Sequence, residues 1–171
     1  MLCGMALSET LARARAFALQ CHGNQRYGDQ PYSVHLDAVA AILAPYGEEA
    51  QTIGFLHDVL EDTPAAPEAL RKEFGDHVLA CVLLVTDQPG ADRNERKVRT
   101  NAKLAAVEGA SRVALIAKAA DRVANLRESA RDPVHGKLEM YRHEHAEFRQ
   151  AAFRPGLCDP LWAEMDRIFG A

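Results

Sequence analysis

The segment GFLHDVLEDT, residues 54–63, places four ionisable side chains inside an otherwise apolar run: His57, Asp58, Glu61 and Asp62. Burying unpaired carboxylates is very costly, so a fold that buries this segment must offset their charge. Residues four positions apart share a face of a helix. A helix through this segment would therefore present an imidazole and three carboxylates to one cavity, where a bound cation would remove the cost.

Two further positions complete a possible ligand set for a divalent metal. His35, in PYSVHLDAVA, and Asp121, in LIAKAADRVANL, both interrupt apolar helical patterns. Imidazole and carboxylate ligands together suit Mn²⁺, Fe²⁺ or Zn²⁺. Each residue alone has an ordinary alternative, because an isolated histidine is commonly a hydrogen-bonded core residue and an aspartate is commonly ion-paired. The combination with His57 and Asp58 favours a metal centre.

Helical periodicity dominates the chain and predicts an all-α class. Ser8 is expected to cap the first helix and Ser33 the second. The third helix is predicted from about Glu48 to Thr63, because a residue before proline disfavours the α region. PEALRKEFG is predicted to form a short helix that ends at its glycine. The buried run DHVLACVLLVT is also assigned to a helix, with a strand as the alternative.

Length and composition indicate the number of domains, the class of partner and the compartment. With 171 residues, we expect one domain over 1–171, with its motifs at about 10–130 and C-terminal helices at 136–170. The formal net charge of −4 gives no general attraction to nucleic acid or to an anionic membrane. The four cysteines show neither disulfide nor zinc-site spacing, and the sequence has no signal-peptide pattern. We therefore expect a cytoplasmic protein with reduced thiols.

Four segments resemble the hydrolase domain of the RelA/SpoT family, specifically its stand-alone small alarmone hydrolases: RYGDQPYSVH, FLHDVLEDT, VLLVTD and IAKAADRVANL. The resemblance implies an HD-domain phosphohydrolase-like helical bundle. It implies that Glu61 and Asp62 position and activate the attacking water. It also implies four ligands of a metal, usually Mn²⁺, with other divalent ions as alternatives: His35, His57, Asp58 and Asp121.

Positions that contact substrate are also predicted. Lys118 and Asn125 lie three before and four after Asp121, on the same helical face. By the resemblance, Asn125 contacts the nucleotide, as does Arg26 in its glycine-bearing loop. The family more often has the loop glycine one or two residues nearer the proline, so the exact contact of Arg26 is expected to differ from that of the family arginine.

Two further substrate contacts are predicted in the basic and C-terminal segments. Lys97 belongs to ADRNERKVRTNAK, a candidate cationic wall whose alternative is a solvated helix face. Tyr141, in KLEMYRHEH, is assigned to the ribose or base, with a core or surface tyrosine as the alternative.

The resulting hypothesis is a hydrolase, without synthetase activity, that removes the 3′-pyrophosphate of guanosine tetra- and pentaphosphate, (p)ppGpp, to give GDP or GTP. One alternative keeps this metal site but uses adenosine 3′-pyrophosphates of the ppApp type or the phosphate of NADPH. Another is a nucleotide-sensing module with an inactive centre, which the presence of Glu61 and Asp62 argues against. The expected partner is a small nucleotide, not nucleic acid or membrane, and the oligomeric state stays open.

Overall fold

A computed structural model describes residues 7–131 and 136–170. The elements, in chain order, are α1 (Glu9–His22), β1 (Arg26–Tyr27), β2 (Gln30–Pro31), α2 (Ser33–Leu43), α3 (Glu48–Leu56), α4 (Val59–Asp62), α5 (Pro67–Val85), α6 (Arg93–Ala105), α7 (Val113–Arg131), α8 (Lys137–Ala152) and α9 (Asp159–Phe169). Short 3₁₀ turns occupy Ala44–Tyr46 and Gly109–Arg112. The two strands, each of two residues, pair as an antiparallel hairpin. The predicted all-α class is confirmed.

The first two helices begin in different ways. The Ser8 hydroxyl oxygen accepts a hydrogen bond from the Leu11 amide at 3.3 Å, as predicted for an N-cap. The prediction that Ser33 caps α2 is wrong, because the helix starts at Ser33 itself and Tyr32 precedes it. The hairpin already delivers Tyr32 in a helical conformation (φ −60°, ψ −24°), and its carbonyl accepts from the His35 amide at 3.1 Å.

The predicted third helix is interrupted within its ionisable segment. α3 ends at Leu56, and Asp58 (φ −99°, ψ −3°) precedes the single turn of α4. A continuous helix from Glu48 to Thr63 is therefore wrong, although the chain does leave the helical region at Thr63 (φ −128°, ψ 163°), before Pro64. The carboxylates beyond the break are thus presented from a separate turn.

A kink divides α5 where the sequence predicted one helix to end and another to begin. Gly75 has φ 86° and ψ 171°, outside the helical region. The residues after it bury Leu79, Cys81, Val82 and Val85 on one side of a helix. A strand here, the alternative for this apolar run, is therefore wrong.

Helix α7 runs through the centre of the bundle and packs against α2, α3, α5, α8 and α9. The buried apolar residues form one cluster that extends from Leu11 in α1 to Phe169 in α9. Helices α2 and α3 pack tightly at Gly54, where an added Cβ would lie 2.4 Å from Leu43 Cδ1. Among the described residues, none of the helices has the length and apolar character needed to cross a bilayer.

Candidate metal centre and active site

The structure brings the four predicted metal ligands together from three parts of the chain. His35 lies on α2, His57 and Asp58 lie in the turn after α3, and Asp121 lies on α7. The Nε2 atoms of the two histidines are 3.2 Å apart. Asp121 Oδ1 is 3.3 Å from the Nε2 of His35 and 3.5 Å from that of His57. Asp58 Oδ2 is 2.9 Å from His57 Nε2 and 3.7 Å from His35 Nε2.

This arrangement fits a divalent cation. Ligand bonds of about 2.0–2.2 Å place neighbouring ligand atoms roughly 3 Å apart, close to the separations found here. The His57 Nδ1–H donates to the Gly54 carbonyl at 2.7 Å, which leaves the Nε2 atom facing the centre. Histidines that bind metals are commonly oriented by such a hydrogen bond from the other ring nitrogen. The donor set contains nitrogen and oxygen but no thiolate, which suits a borderline or hard cation.

Charge is concentrated at this centre despite its burial. Burial alone would lower the pKa of His57, but Asp58 and Asp121 outweigh it and raise that pKa well above its ordinary value. Burial would raise the pKa of Asp58, yet His57 lowers it to about 2. In the same way, the two histidines hold the pKa of Asp121 well below its usual range. The carboxylates are therefore anionic, and a cation between them would take the place of the histidine proton.

Two tyrosines support the ligands. The Tyr32 hydroxyl donates to Asp58. Burial raises the pKa of this phenol, and the neighbouring Asp58 carboxylate raises it further. The ring of Tyr27 stacks on His35, with centroids 4.7 Å apart and an angle of 23°. Both tyrosines belong to the segment RYGDQPYSVH, but the sequence patterns assigned them no role. The available signal was the spacing of Tyr32, one helical turn before His35.

Asn125 is also placed against a predicted ligand. Its Nδ2 donates to Asp121 Oδ1 at 2.6 Å, and its Oδ1 accepts from the Tyr27 hydroxyl at 2.9 Å. Asn125 lines the cavity beside the centre, so the predicted contact with substrate stays a prediction. Its hydrogen bonds give it a further effect, because they fix the orientation of the Asp121 carboxylate.

Glu61 and Asp62 lie beside the ligand cluster, at the wall of a cavity of about 730 Å³. The Glu61 carboxylate accepts from the Asp87 amide at 2.8 Å. Partial burial raises the pKa of Glu61, and the negative charge of Asp87 raises it further. The Asp62 carboxylate accepts from Gln25 Nε2 at 2.9 Å. Neither carboxylate belongs to the histidine–aspartate cluster, and both line the cavity, where they can contact a bound molecule.

A half-buried aspartate, Asp87, contacts two lysines of the cavity. Asp87 is ion-paired with Lys97, and its Oδ1 lies 3.3 Å from Lys118 Nζ. Lys118 also donates to the Val85 carbonyl at 2.8 Å. Burial would lower the pKa of Lys118, but Asp87 and Asp121 raise it. Asp87 was not predicted as a site residue, although it ends the segment VLLVTD.

The predicted cationic wall on α6 is divided between the cavity and the surface. Arg93, Arg96 and Lys97 line the cavity. Arg99 instead pairs with Glu95 on its own helix. Lys103 donates to the carbonyls of α5 and the residue after it. Both interpretations of this basic segment therefore apply, each to a different face of the helix.

Of the two remaining residues predicted to contact substrate, Tyr141 lies at the cavity and Arg26 does not. Tyr141 lines the cavity, and the guanidinium carbon of Arg122 lies 4.6 Å from its ring centroid. Arg122, which was not predicted, is buried and lies 3.2 Å from Glu144. Arg26 is exposed and donates to the Asp29 carbonyl within the hairpin. Among the residues that the structure describes, the cavity lining includes Tyr27 but not Arg26.

A helical bundle that joins a His-Asp pair to a second histidine and a distant aspartate defines an HD-type domain. The family described as "HD domain" matches residues 14–157, and the chain belongs to that family. HD domains hold divalent metals at such clusters, and His35, His57 and Asp58 place ligand atoms within 4.8 Å of one another.

Two named relatives show which kind of HD-domain protein the chain resembles. The guanosine-3′,5′-bis(diphosphate) 3′-pyrophosphohydrolase MESH1 of Danio rerio is 36% identical over 122 residues, which cover 66% of this chain and 64% of that protein. A GTP pyrophosphokinase of Streptomyces coelicolor is 36% identical over 164 residues, 93% of this chain but 19% of that protein. The chain thus spans about a fifth of the length of this longer relative.

A solved structure matches nearly the whole fold. It is described as a metazoan orthologue of SpoT that hydrolyses ppGpp, and it superposes with a TM-score of 0.81 at 26% identity. The match covers 98% of this chain and 97% of that chain. Together with the named relatives, it confirms the resemblance that the four sequence segments predicted.

Proposed function

We propose that this chain is a metal-dependent hydrolase that removes the 3′-pyrophosphate of guanosine tetra- and pentaphosphate and releases GDP or GTP. The observation that carries the proposal is the lining of one cavity by two sets of side chains. Asp58 and Asp121 belong to the proposed metal site, while Arg93, Arg96 and Lys97 are cationic. The names of the Danio rerio relative and of the solved structure support this substrate class.

These two sets of side chains suit a nucleotide that carries phosphates at two positions. One phosphate group would lie at the cation, and the other would lie against the arginine and lysine side chains. The volume of about 730 Å³ falls within the range usual for small-molecule sites. A ligand with a single phosphate group would leave one of these two sets of side chains without a partner.

We assign the metal to His35, His57, Asp58 and Asp121, and we propose Mn²⁺ as the ion, although another divalent ion would suit the same donors. A bound ion of this kind lowers the pKa of water and polarises a phosphoryl oxygen. The hydrogen bonds from Tyr32 to Asp58 and from Asn125 to Asp121 keep these carboxylates in the orientation that the ion needs.

The chain's own acid–base groups are Glu61 and Asp62. Both reach the cavity beside the ligand cluster, so one of their carboxylate oxygens can accept the proton of the attacking water while the other orients it. Lys97 and Lys118 neutralise charge that develops on the pyrophosphate oxygens as water attacks the phosphorus and the bond to the ribose 3′-oxygen breaks. Asn125 and Tyr141 are assigned to the nucleoside, and Arg26 is left out of this set because it contacts Asp29.

We place the reaction in the cytoplasm and treat residues 1–171 as a single hydrolase domain. Cys21, Cys81 and Cys158 are free thiols, which agrees with a reducing compartment. Cys3, the fourth cysteine of the sequence, lies outside the described residues. The proposed partner is a small nucleotide.

The proposal is tested with metal-stripped protein that is reloaded with Mn²⁺. This protein is incubated with guanosine 3′-pyrophosphates, adenosine 3′-pyrophosphates or NADPH, and the products are separated by chromatography. We expect pyrophosphate and GDP or GTP from the guanosine substrates, with little activity before reloading. Asp76→Ala, a change of an exposed aspartate on α5, serves as the control for Asp121→Ala. Full activity of the stripped protein, or no product from the guanosine substrates, would overturn the proposal.

A further inference from the structure

A chain of hydrogen bonds leads from Asp62 to the end of α1. Gln25, in the loop between α1 and β1, donates from Nε2 to Asp62 Oδ2 at 2.9 Å. Its Oε1 lies 2.8 Å from Nδ1 of His22, the last residue of α1. We propose that His22 and Gln25 are positioning residues that hold the Asp62 carboxylate for catalysis, an assignment that rests on the proposed function.

The chemistry of the groups sets the direction of this chain. An ionised carboxylate can only accept hydrogen bonds, so Gln25 must turn its NH₂ group toward Asp62. The reverse orientation of the amide would place two acceptor oxygens 2.9 Å apart. With Nε2 committed to Asp62, the Gln25 oxygen faces His22 and accepts from it. Nδ1 of His22 therefore carries a proton, and the orientation of the amide follows from the bonding partners.

His22 is held firmly enough to fix Gln25. Its exposed fraction is 6%, and its ring stacks on Tyr32 with centroids 4.4 Å apart and an angle of 29°. Within the described part of the chain, its Nε2 has no hydrogen-bond partner. A buried polar atom without a partner is costly, and the hydrogen bond from Nδ1 to Gln25 is what this imidazole offers that an apolar ring would not.

Asp62 depends on this bond because its other contact is weaker. The Tyr32 hydroxyl lies 3.3 Å from Asp62 Oδ2, but its single proton is directed to the closer Asp58. Asp62 also ends α4, a helix of four residues, so its backbone restrains the side chain little. Without Gln25, the carboxylate would keep only the long contact with Tyr32 and would leave its catalytic orientation.

The test combines substitutions of the positioning residues with Asp62→Asn. Gln25→Met keeps the length of the side chain but removes both hydrogen bonds, and His22→Phe keeps a ring against Tyr32 but removes the donor. We expect each to lower kcat by roughly 10–10²-fold, since misplacement by ~1 Å can cost about 10²-fold. KM and metal content should stay close to the wild-type values, because neither residue lines the cavity among the described residues.

The double variants decide between positioning and general structure. In the Asp62→Asn background, Gln25→Met should cause little further loss, because the group that it positions is already gone. Gln51→Met is the matched control, since Gln51 donates to the Ala40 carbonyl between α3 and α2. The effect of Gln51→Met on kcat should be the same in the wild type and in the Asp62→Asn background. Wild-type kcat in both single variants, or an equal loss with and without Asp62, would overturn the proposal.

A second measurement does not need catalysis. Long-range ¹H–¹⁵N spectra of the His22 ring should show a proton on Nδ1 in the wild type, and the Nδ1 resonance should shift in Gln25→Met. A ring protonated on Nε2 alone would contradict the hydrogen-bond chain. If the wild-type protein hydrolysed none of the nucleotides but these spectra showed the expected pattern, the proposed function would fail while the arrangement of His22, Gln25 and Asp62 stood.

Discussion

The Nε2 atoms of His35 and His57 lie 3.2 Å apart, although the residues are 22 positions apart in the sequence. Their approach depends on how closely α2 packs on α3. Gly54 lies in the helical turn before His57 and accepts a hydrogen bond from its Nδ1. An added Cβ on Gly54 would lie 2.4 Å from Leu43 Cδ1 and 3.3 Å from Val39 Cγ1. The missing side chain therefore allows the helices that carry the two imidazoles to pack closely.

Gly54→Ala should weaken both the fold and the metal site. The added methyl group would push α2 from α3, and overpacking of this kind typically costs about 1–3 kcal/mol. Denaturant unfolding measures the loss of stability, and titration with Mn²⁺ measures the loss of affinity. Ala41→Ser, an exposed change on α2, should alter neither. Wild-type stability and metal affinity in Gly54→Ala would show that the helices do not need this contact.

Metal binding should raise the stability of the folded protein. A ligand that binds only the folded state stabilises it by about 2.7 kcal/mol at 100 times its Kd. We therefore expect Mn²⁺ to raise the Tm of the wild type but not of Asp121→Ala, which lacks one of the proposed ligands. Asp76→Ala should respond like the wild type. An equal rise in Asp121→Ala would exclude Asp121 from the ligand set.

Lys118→Met should retain metal but hydrolyse substrate poorly. An ammonium group has no lone pair for a metal, and Lys118 instead bonds the Val85 carbonyl and faces Asp87. Loss of a group that stabilises developing negative charge typically lowers kcat by about 10²–10³-fold. Elemental analysis and turnover are measured on the same preparation. If Lys118→Met lost its metal as completely as Asp121→Ala, the separate roles assigned to these residues would be wrong.

Asp87→Asn should destabilise the protein in a pH-dependent way. Burial would raise the pKa of Asp87, but Lys118 and Lys97 lower it below its ordinary value of 3.8, while Glu61 adds a neighbouring negative charge. The folded state thus binds fewer protons than the unfolded state below about pH 4. The stabilisation is complete above the unfolded pKa and is lost as the pH falls through the lower, folded pKa.

Urea unfolding over a range of pH measures this effect. Breaking a buried ion pair typically costs roughly 3–5 kcal/mol, so the wild type should exceed Asp87→Asn by about that amount near neutral pH. The difference should shrink as the pH falls below about 4. Glu68→Gln, a change of an exposed residue on α5, should show no such trend. A difference that stays constant down to pH 2 would contradict the role of the Asp87 charge.

Local patterns in the sequence accounted for much of the fold. The cap at Ser8 and the kink at Gly75 depend on residues close in the chain, and both were predicted. The break after α3 was not predicted, because the turn that follows is held by a contact distant in sequence: the Tyr32 hydroxyl donates to Asp58. For the same reason, local composition could not show that Tyr32 would enter α2 already in a helical conformation.

The site was predictable to the extent that each residue interrupts an apolar pattern. His35 and Asp121 stand out in this way, and the structure brings them together. Residues of the basic segment do not stand out individually. Partners on other elements decide which of them face the cavity: Lys103, for example, is turned away by the carbonyls of α5. Gln25 gave no signal, because a glutamine in a loop is ordinary until its partners are known.

Glu61→Gln and Asp62→Asn should separate binding from chemistry. Both changes preserve shape, and neither residue belongs to the cluster around His35. Each removes a carboxylate that could take the proton of the attacking water, and positioned acid–base groups typically contribute about 10²–10⁴-fold in rate. We therefore expect kcat to fall by roughly that range while metal content stays unchanged. Substrate binding should be retained or tightened, because a negative charge that repels the phosphates is lost.

Single-turnover hydrolysis, calorimetric binding and metal analysis are compared for each protein, with Glu68→Gln as the control carboxylate. In each variant the new amide keeps an oxygen for the present donor, the Asp87 amide at residue 61 and Gln25 Nε2 at residue 62. Its NH₂ group takes the place of the other carboxylate oxygen and cannot accept a proton, so both variants should lose activity for the same reason. Wild-type turnover in both variants would mean that neither carboxylate takes part in the chemistry.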